Sequence, residues 1–193
     1  MTSFQDDEAL VATAVAGSLP AWDKLVRRYE RKIYNYGLRL TGNTSDAMDL
    51  MQEVFLGVYK NLHRFRGDAR FSSWIFRIAH NKAVDMNRRN ARLRGQGFSY
   101  DESAADDSPQ ISADVTMEPD RRFADEQRNE QVARLLQSLS LEQRLVIELK
   151  IYQSLTFEEI AQVQEISENT AKTRFYTALR KLKSILEESH VMS

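Results

Sequence analysis

Apolar residues recur every three or four positions along almost all of this 193-residue chain, and one long acidic stretch past its middle breaks the pattern. That spacing lines up one face of an α-helix, whereas a half-buried strand needs strict alternation. No convincing alternation occurs, so the expected fold class is all-α. A short helix is expected over about Glu8–Ala16, stopping at Gly17. A second begins near Pro20, carries Trp22, Leu25, Val26, Tyr29, Ile33, Tyr36 and Leu40, and stops at Gly42. A third, capped by Thr44 or Ser45, carries Ala47, Leu50, Met51, Val54, Phe55, Val58 and Leu62. The loop HRFRGDAR leads into a fourth, which a serine at 72 or 73 can cap.

The interruption runs SYDESAADDSPQISADVTMEP, Ser99–Pro119. It is acidic, Ser-rich and without a helical stripe, so it reads as a mobile linker. Beyond it, Val132, Leu135, Leu136 and Leu139 mark a helix. Ser140 with Gln143, and Thr156 with Glu159, have capping-box spacing. The first box precedes Leu145, Val146 and Leu149; the second precedes Ile160, Ala161 and Val163. Ser167 is placed to cap the last helix, striped by Ala171, Phe175, Ala178, Leu179, Leu182 and Leu186. The expected organisation is two small helical domains, 1–96 and 122–193, joined by a flexible acidic linker at 97–121.

Composition narrows the chemistry. No cysteine is present, which excludes disulfides, thiolate catalysis and Cys-bound zinc, and His63, His80 and His190 lack metal-ligand spacing. No catalytic constellation, cofactor or metal site is expected. No run approaches the ~18 apolar residues of a membrane span, and the start MTSFQDDEAL is acidic, so a cytoplasmic protein without membrane insertion is expected. The net charge of −1 hides segregation. From Lys60 to Arg94 ten bases against two acids give +8; from Asp101 to Glu130 ten acids against three bases give −7. The basic stretch suggests a polyanionic partner.

Three helical faces carry the functional reading. In the C-terminal helix Asn169, Thr173, Tyr176, Thr177, Arg180 and Ser184 lie opposite the apolar stripe, flanked by Lys172, Arg174, Lys181 and Lys183. After a short helix and a tight turn this is a helix-turn-helix pattern, suited to base edges and phosphates; a solvated bundle helix is the bland alternative. The turn often wants positive φ, yet carries Glu165. In the third helix Asp49, Gln52, Glu53, Leu56 and Lys60 oppose the core stripe, as a docking surface or a plain solvated face would. In the fourth helix Trp74, Arg77, Asn81, Asp85 and Arg88 fall along one edge, with Phe71, Ile75, Ile78, Ala79 and Met86 on the core face. An aromatic ring beside cations and an amide is what unpaired nucleic acid uses; a boundary tryptophan is equally common. Phe71 and Phe76 are expected to pack, and His80 to be a surface or packing residue.

The segments DAMDLMQEVFLGVYKNLHRFRGDARFSSWIFRIAHNKAVDMNRR and LSLEQRLVIELKIYQSLTFEEIAQVQEISENTAKTRFYTALRKLK, in this order, resemble the extracytoplasmic-function (ECF) class of sigma-70 RNA polymerase sigma factors. The resemblance implies that Asp49, Gln52 and Glu53, with Leu56 beside them, bind core RNA polymerase. It implies that Arg66, Gly67, Asp68 and Phe71 in the loop, with Trp74, Arg77, Asn81 and Arg88 in the helix, hold an unpaired −10 promoter strand. It assigns the −35 duplex to Asn169, Lys172, Thr173, Arg174, Tyr176, Thr177 and Arg180. It implies an anti-sigma factor partner and no catalytic residue. Glu165 and Asn169 stand where such proteins often have glycine, Ala171 where they often have valine, and Ser140 where proline is frequent. A stand-alone helix-turn-helix regulator that binds duplex DNA without polymerase is the alternative.

Overall fold

The computed structural model describes residues 3–93 and 132–191. The acidic stretch 97–121 lies outside them. Every regular element among the described residues is helical. Four helices form the first half: α1 (Ser3–Val15), α2 (Leu19–Thr41), α3 (Thr44–Asn61) and α4 (Phe71–Leu93), with a 3-10 turn at Leu62–Arg64. The second half holds α5 (132–137), α6 (Leu141–Ile147), a π-helical turn (Glu148–Tyr152), α7 (Phe157–Gln164) and α8 (Glu168–Val191). None of the described helices is long and apolar enough to cross a membrane.

Local chemistry sets most boundaries. Ser18 caps α2 by accepting from the Ala21 amide, and Gly42 ends it in the left-handed region at φ 69°. The cap of α3 is Asn43, accepting from the Asp46 amide at 3.0 Å, in place of the expected Thr44 or Ser45. Helix α4 starts at Phe71, so neither Ser72 nor Ser73 caps it; the Ser73 hydroxyl instead donates to Glu159 Oε1 at 3.2 Å. Both expected capping boxes form, and Ser167 Oγ accepts from the Thr170 amide at 3.0 Å.

Helices α2, α3 and α4 pack around Tyr29, Ile33, Tyr36, Leu50, Val54, Phe71, Ile75, Phe76 and Ala79, all buried. The α2–α3 crossing is tight because position 37 is glycine; a Cβ there would meet the Ala47 Cα at 3.0 Å. Buried Asp7 anchors α1 by accepting from the Tyr29 hydroxyl at 2.6 Å and pairing with Arg28.

The two halves pack against each other. Leu145, Val146, Leu149, Leu155, Ile160, Val163 and Ala171 join the same hydrophobic core as Leu25, Tyr36 and Phe76. A smaller cluster, Leu136, Leu139, Ile147 and Ala178, holds the second half together. At the junction Arg39 grips Glu148 with two hydrogen bonds, at 2.5 and 2.7 Å. The Gln153 amide donates to the same carboxylate at 3.0 Å, and the Tyr152 ring stacks 3.8 Å from the Arg39 guanidinium. The last carbonyls of α2, orphaned by helix geometry, are taken by the second half: Gln137 donates to Arg39 and Leu40, and Arg144 to Leu40.

Candidate nucleic-acid interface

Helix α4 presents its expected edge. Arg77, Asn81 and Arg88 are exposed, and so are Arg66, Gly67 and Asp68 in the preceding loop, where Gly67 takes φ +77°. Trp74 is half-buried, 5.5 Å from the Phe65 ring and 5.7 Å from the Phe71 ring, so its inner edge packs and its outer edge remains available. Phe71 has to be removed from the accessible set. It is 2% exposed, enclosed by Tyr29, Phe65 and Trp74, and acts here as the floor under Trp74.

On α3, Asp49 and Gln52 point to solvent and Leu56 is 54% exposed. Glu53 is held differently: Lys82 of α4 lies 2.8 Å from its carboxylate and, by hydrogen bond and charge, keeps its pKa below the usual range. Met48 and Tyr59 are exposed as well, extending the apolar content of this face. They escape a sequence reading because each also fits a buried stripe; Tyr59 turns out to lie against Trp22 at the rim, ring to ring 5.3 Å.

In the second half α7, a turn and α8 form the helix-turn-helix. Glu165 itself supplies the left-handed residue, at φ 56° and ψ 43°, so the missing glycine changes the residue and not the turn. Asn169, Thr173, Tyr176 and Arg180 are exposed, Thr177 is half-buried, and Arg180 donates to the Thr177 hydroxyl at 3.3 Å. Lys172 pairs with Glu168 at 2.7 Å, and Arg174 with Glu142 of α6 at 2.7 Å, which ties Arg174 down at the domain's own surface. Leu179, expected in the stripe, is 36% exposed because it lies at the stripe's margin, while Ala171 and Ala178 are fully buried. These faces offer stacking, hydrogen bonding and phosphate attraction; among the described residues no group of three potential metal ligands occurs.

The α4 edge and α7 face each other. Arg77 lies 2.6 Å from Glu165, and Arg70 3.8 Å from Glu159. His80, Asn81, Val84, Asp85 and Arg88 of α4 share a cavity of about 340 Å³ with Gln164 and Glu165. The His80 Nδ1 and both amide atoms of Gln164 are buried without a protein partner. Burial lowers the His80 pKa from 6.5 to about 4, with Glu165 opposing the shift and Arg174 adding to it. Above pH 6.5 the imidazole is neutral folded or unfolded and adds no pH dependence. Between 6.5 and about 4 the unfolded chain takes up a proton that the folded chain refuses, so folding weakens as pH falls. His80→Gln is therefore expected to flatten the melting curve against pH across this window. Parallel curves for the two proteins would show that the imidazole titrates normally.

Comparison with known proteins gives one answer. The Sigma-70 region 2 family matches residues 25–93, and the Sigma-70 region 4 family matches residues 129–182. The ECF RNA polymerase sigma-E factor of Escherichia coli is 30% identical over 179 residues, covering 92% of this chain and 93% of that one. The RNA polymerase sigma-H factor of Pseudomonas aeruginosa is 27% identical over 191 residues, 97% of each chain. The ECF RNA polymerase sigma factor SigE of Mycolicibacterium smegmatis is 29% identical over 91% of this chain, which spans 65% of that relative's length. In fold, the chain is similar to CnrH in its complex with the cytosolic domain of CnrY, with TM-score 0.69 and 23% identity over 95% of this chain and 98% of that one. It is similar also to the sigma factor RpoE of Bartonella quintana in complex with the anti-sigma factor NepR, with TM-score 0.63 and 18% identity over 86% and 96%. With matches to both regions, in this order, and a relative 30% identical over 92% of this chain, the chain belongs to the ECF class of sigma-70 RNA polymerase sigma factors.

Proposed function

We propose that this chain is a promoter-specificity subunit that acts with core RNA polymerase, holding an unpaired −10 strand on α4 and reading a −35 duplex with α8. The observation that carries the reading is the α4 edge, where the outer side of Trp74 lies beside exposed Arg77, Asn81 and Arg88. A ring, cations and an amide on one rigid helix supply stacking, phosphate attraction and base-edge hydrogen bonds. The exposed polar row of α8 suits a major groove. Asp49, Gln52, Glu53 and Leu56 are assigned to polymerase docking. The role needs no catalytic residue or cofactor, and its setting is the cytoplasm, with the polymerase. An anti-sigma factor is proposed as a further partner, in keeping with the complex of the Bartonella relative.

The experiment is transcription by core polymerase with and without the purified chain, from a library of promoters; failure to direct initiation anywhere overturns the reading. Asp49→Lys with Glu53→Lys is expected to weaken binding to core polymerase through like-charge contact, at a cost on the order of several kcal/mol. Because Glu53 also holds Lys82, the triple variant with Lys82→Glu restores a local ion pair without restoring docking. Recovery of polymerase affinity in the triple variant would assign Glu53 to that pair alone.

A further inference from the structure

A second basic surface lies on α2, away from every face assigned so far. Arg27, Arg28, Arg31, Lys32, Asn35 and Arg39 line a cavity of about 490 Å³, walled on one side by Tyr152 and Gln153 of the π-helical turn. Positions 27, 31, 35 and 39 are four apart, so they form one row about 18 Å long on α2, with Arg28 and Lys32 beside it. The buried stripe of α2, Leu25, Tyr29, Ile33, Tyr36 and Leu40, takes another side of the helix. The lining holds five cations, two amides and one tyrosine ring, and no acid. The nearby acids stand outside it: Asp23 pairs with Arg27 at 2.8 Å, Asp7 with Arg28 at 2.5 Å, and Glu148 with Arg39 at 2.5 Å. Asp7 and Glu148 are themselves buried, so they fix two of the guanidiniums in place.

We propose that this cavity binds an oligophosphate, a chain of linked phosphates either free or carried by a nucleoside. A concave wall of one charge sign focuses the field and concentrates counter-ions of the opposite sign. Guanidinium forks match phosphate oxygens in pairs and stay charged at any working pH. The row decides the ligand's length: one phosphate meets the cations of a single turn, whereas linked phosphates meet those of several. The volume decides its class. About 490 Å³ is the size of a small-molecule site, while a single nucleic-acid strand is held over about 4–16 nucleotides. Arg39 is buried, held by Glu148 and covered by the Tyr152 ring at 3.8 Å, so its cation is preset. Arg31 and Lys32 are exposed at the other extreme and can close on the ligand. Asn35 and Gln153 add neutral donors for bridging oxygens or a base edge. The proposal stands apart from the promoter reading, because no lining residue is assigned to polymerase, the −10 strand or the −35 duplex.

The test titrates the full chain by calorimetry, at physiological ionic strength, with tripolyphosphate, adenosine triphosphate, orthophosphate and a single-stranded DNA of random sequence. Tripolyphosphate is expected to bind more tightly than orthophosphate by about tenfold or more, tenfold being the factor that ~1.4 kcal/mol represents. Arg31→Ala with Lys32→Ala, both at exposed positions, is expected to weaken tripolyphosphate by a similar factor. The control, Arg134→Ala with Lys181→Ala, removes the same charge at exposed positions on α5 and α8 and is expected to change affinity far less. Melting curves confirm that each variant is folded. A higher affinity for adenosine triphosphate that Tyr152→Ala removes supports the proposal and identifies a nucleotide. Equal affinity for the two, indifferent to Tyr152→Ala, supports it and identifies an inorganic phosphate chain. Binding of neither compound overturns the proposal, as does an equal loss in the control, or orthophosphate binding as tightly as tripolyphosphate. DNA that displaces tripolyphosphate from the site at lower concentration also overturns it, by assigning the cavity to nucleic acid.

Discussion

Glu148→Ala is expected to part the two halves of the chain and to lower the melting temperature. The Arg39 guanidinium and the Glu148 carboxylate are 5% and 0% exposed, and they share two hydrogen bonds. A buried pair adds little over a well-packed apolar pair, because desolvation offsets attraction, but deleting one partner strands the other at about 3–5 kcal/mol. With the carboxylate gone, Arg39 can regain solvation by letting water into the seam beneath Tyr152. The chain is therefore expected to expand in small-angle scattering before either half unfolds. Arg39→Met with Glu148→Leu removes both charges and is expected to recover most of the compactness. A Glu148→Ala protein that keeps the wild-type radius and melting temperature would show that apolar contacts alone hold the seam.

Loss of promoter opening is the second large effect. Arg77→Ala and Asn81→Ala, both at exposed positions, are expected to leave the fold and the initial binding of holoenzyme to duplex nearly unchanged. Permanganate reactivity of unpaired thymines is expected to fall clearly in both. Trp74→Ala is expected to fall further. Stacking one base is worth about 1–3 kcal/mol, or one to two orders of magnitude in open complex. Trp74 also packs on Phe65 and Phe71, so its truncation costs stability as well, up to the ~3–5 kcal/mol of a large buried aromatic. The polar variants separate the two roles. If both open promoters normally while Trp74→Ala only destabilises, the edge is structural.

The helices and their caps were legible because each signal is local: Ser140 and Gln143, or Thr156 and Glu159, satisfy one another within one turn. The serines at 72 and 73 misled because both lie inside α4, which starts at Phe71, and Ser73 finds its partner 86 residues away, on Glu159. Phe71 packs as its place on the core face predicts, enclosed by three aromatic rings; the resemblance alone had set it against the −10 strand. Arg39 and Glu148 give no sign of their pairing in the sequence, because no spacing rule joins residues 109 apart. For the same reason the exposure of Arg77 and Asn81 on one helix edge was legible, but Glu165 as the neighbour of Arg77 was not. The sequence predicts which faces are polar; it does not predict which polar faces meet.

The π-helical turn at Glu148–Tyr152 has a consequence of phase. An α-helix comes round after 3.6 residues, so position 153 would point well away from 148. Here the Gln153 amide bonds back to the Glu148 carbonyl at 3.2 Å, the i→i+5 closure of a wider turn. Leu155 reaches back further, to the Leu149 carbonyl at 3.1 Å. One surplus residue is absorbed in the winding, and Gln153 returns alongside Glu148 as its second donor while Tyr152 roofs Arg39. The junction is thus encoded by a residue count as much as by residue identities. Ordinary winding over the same number of residues would rotate everything beyond this stretch by about 100°, with every side chain of the clasp still present in the chain.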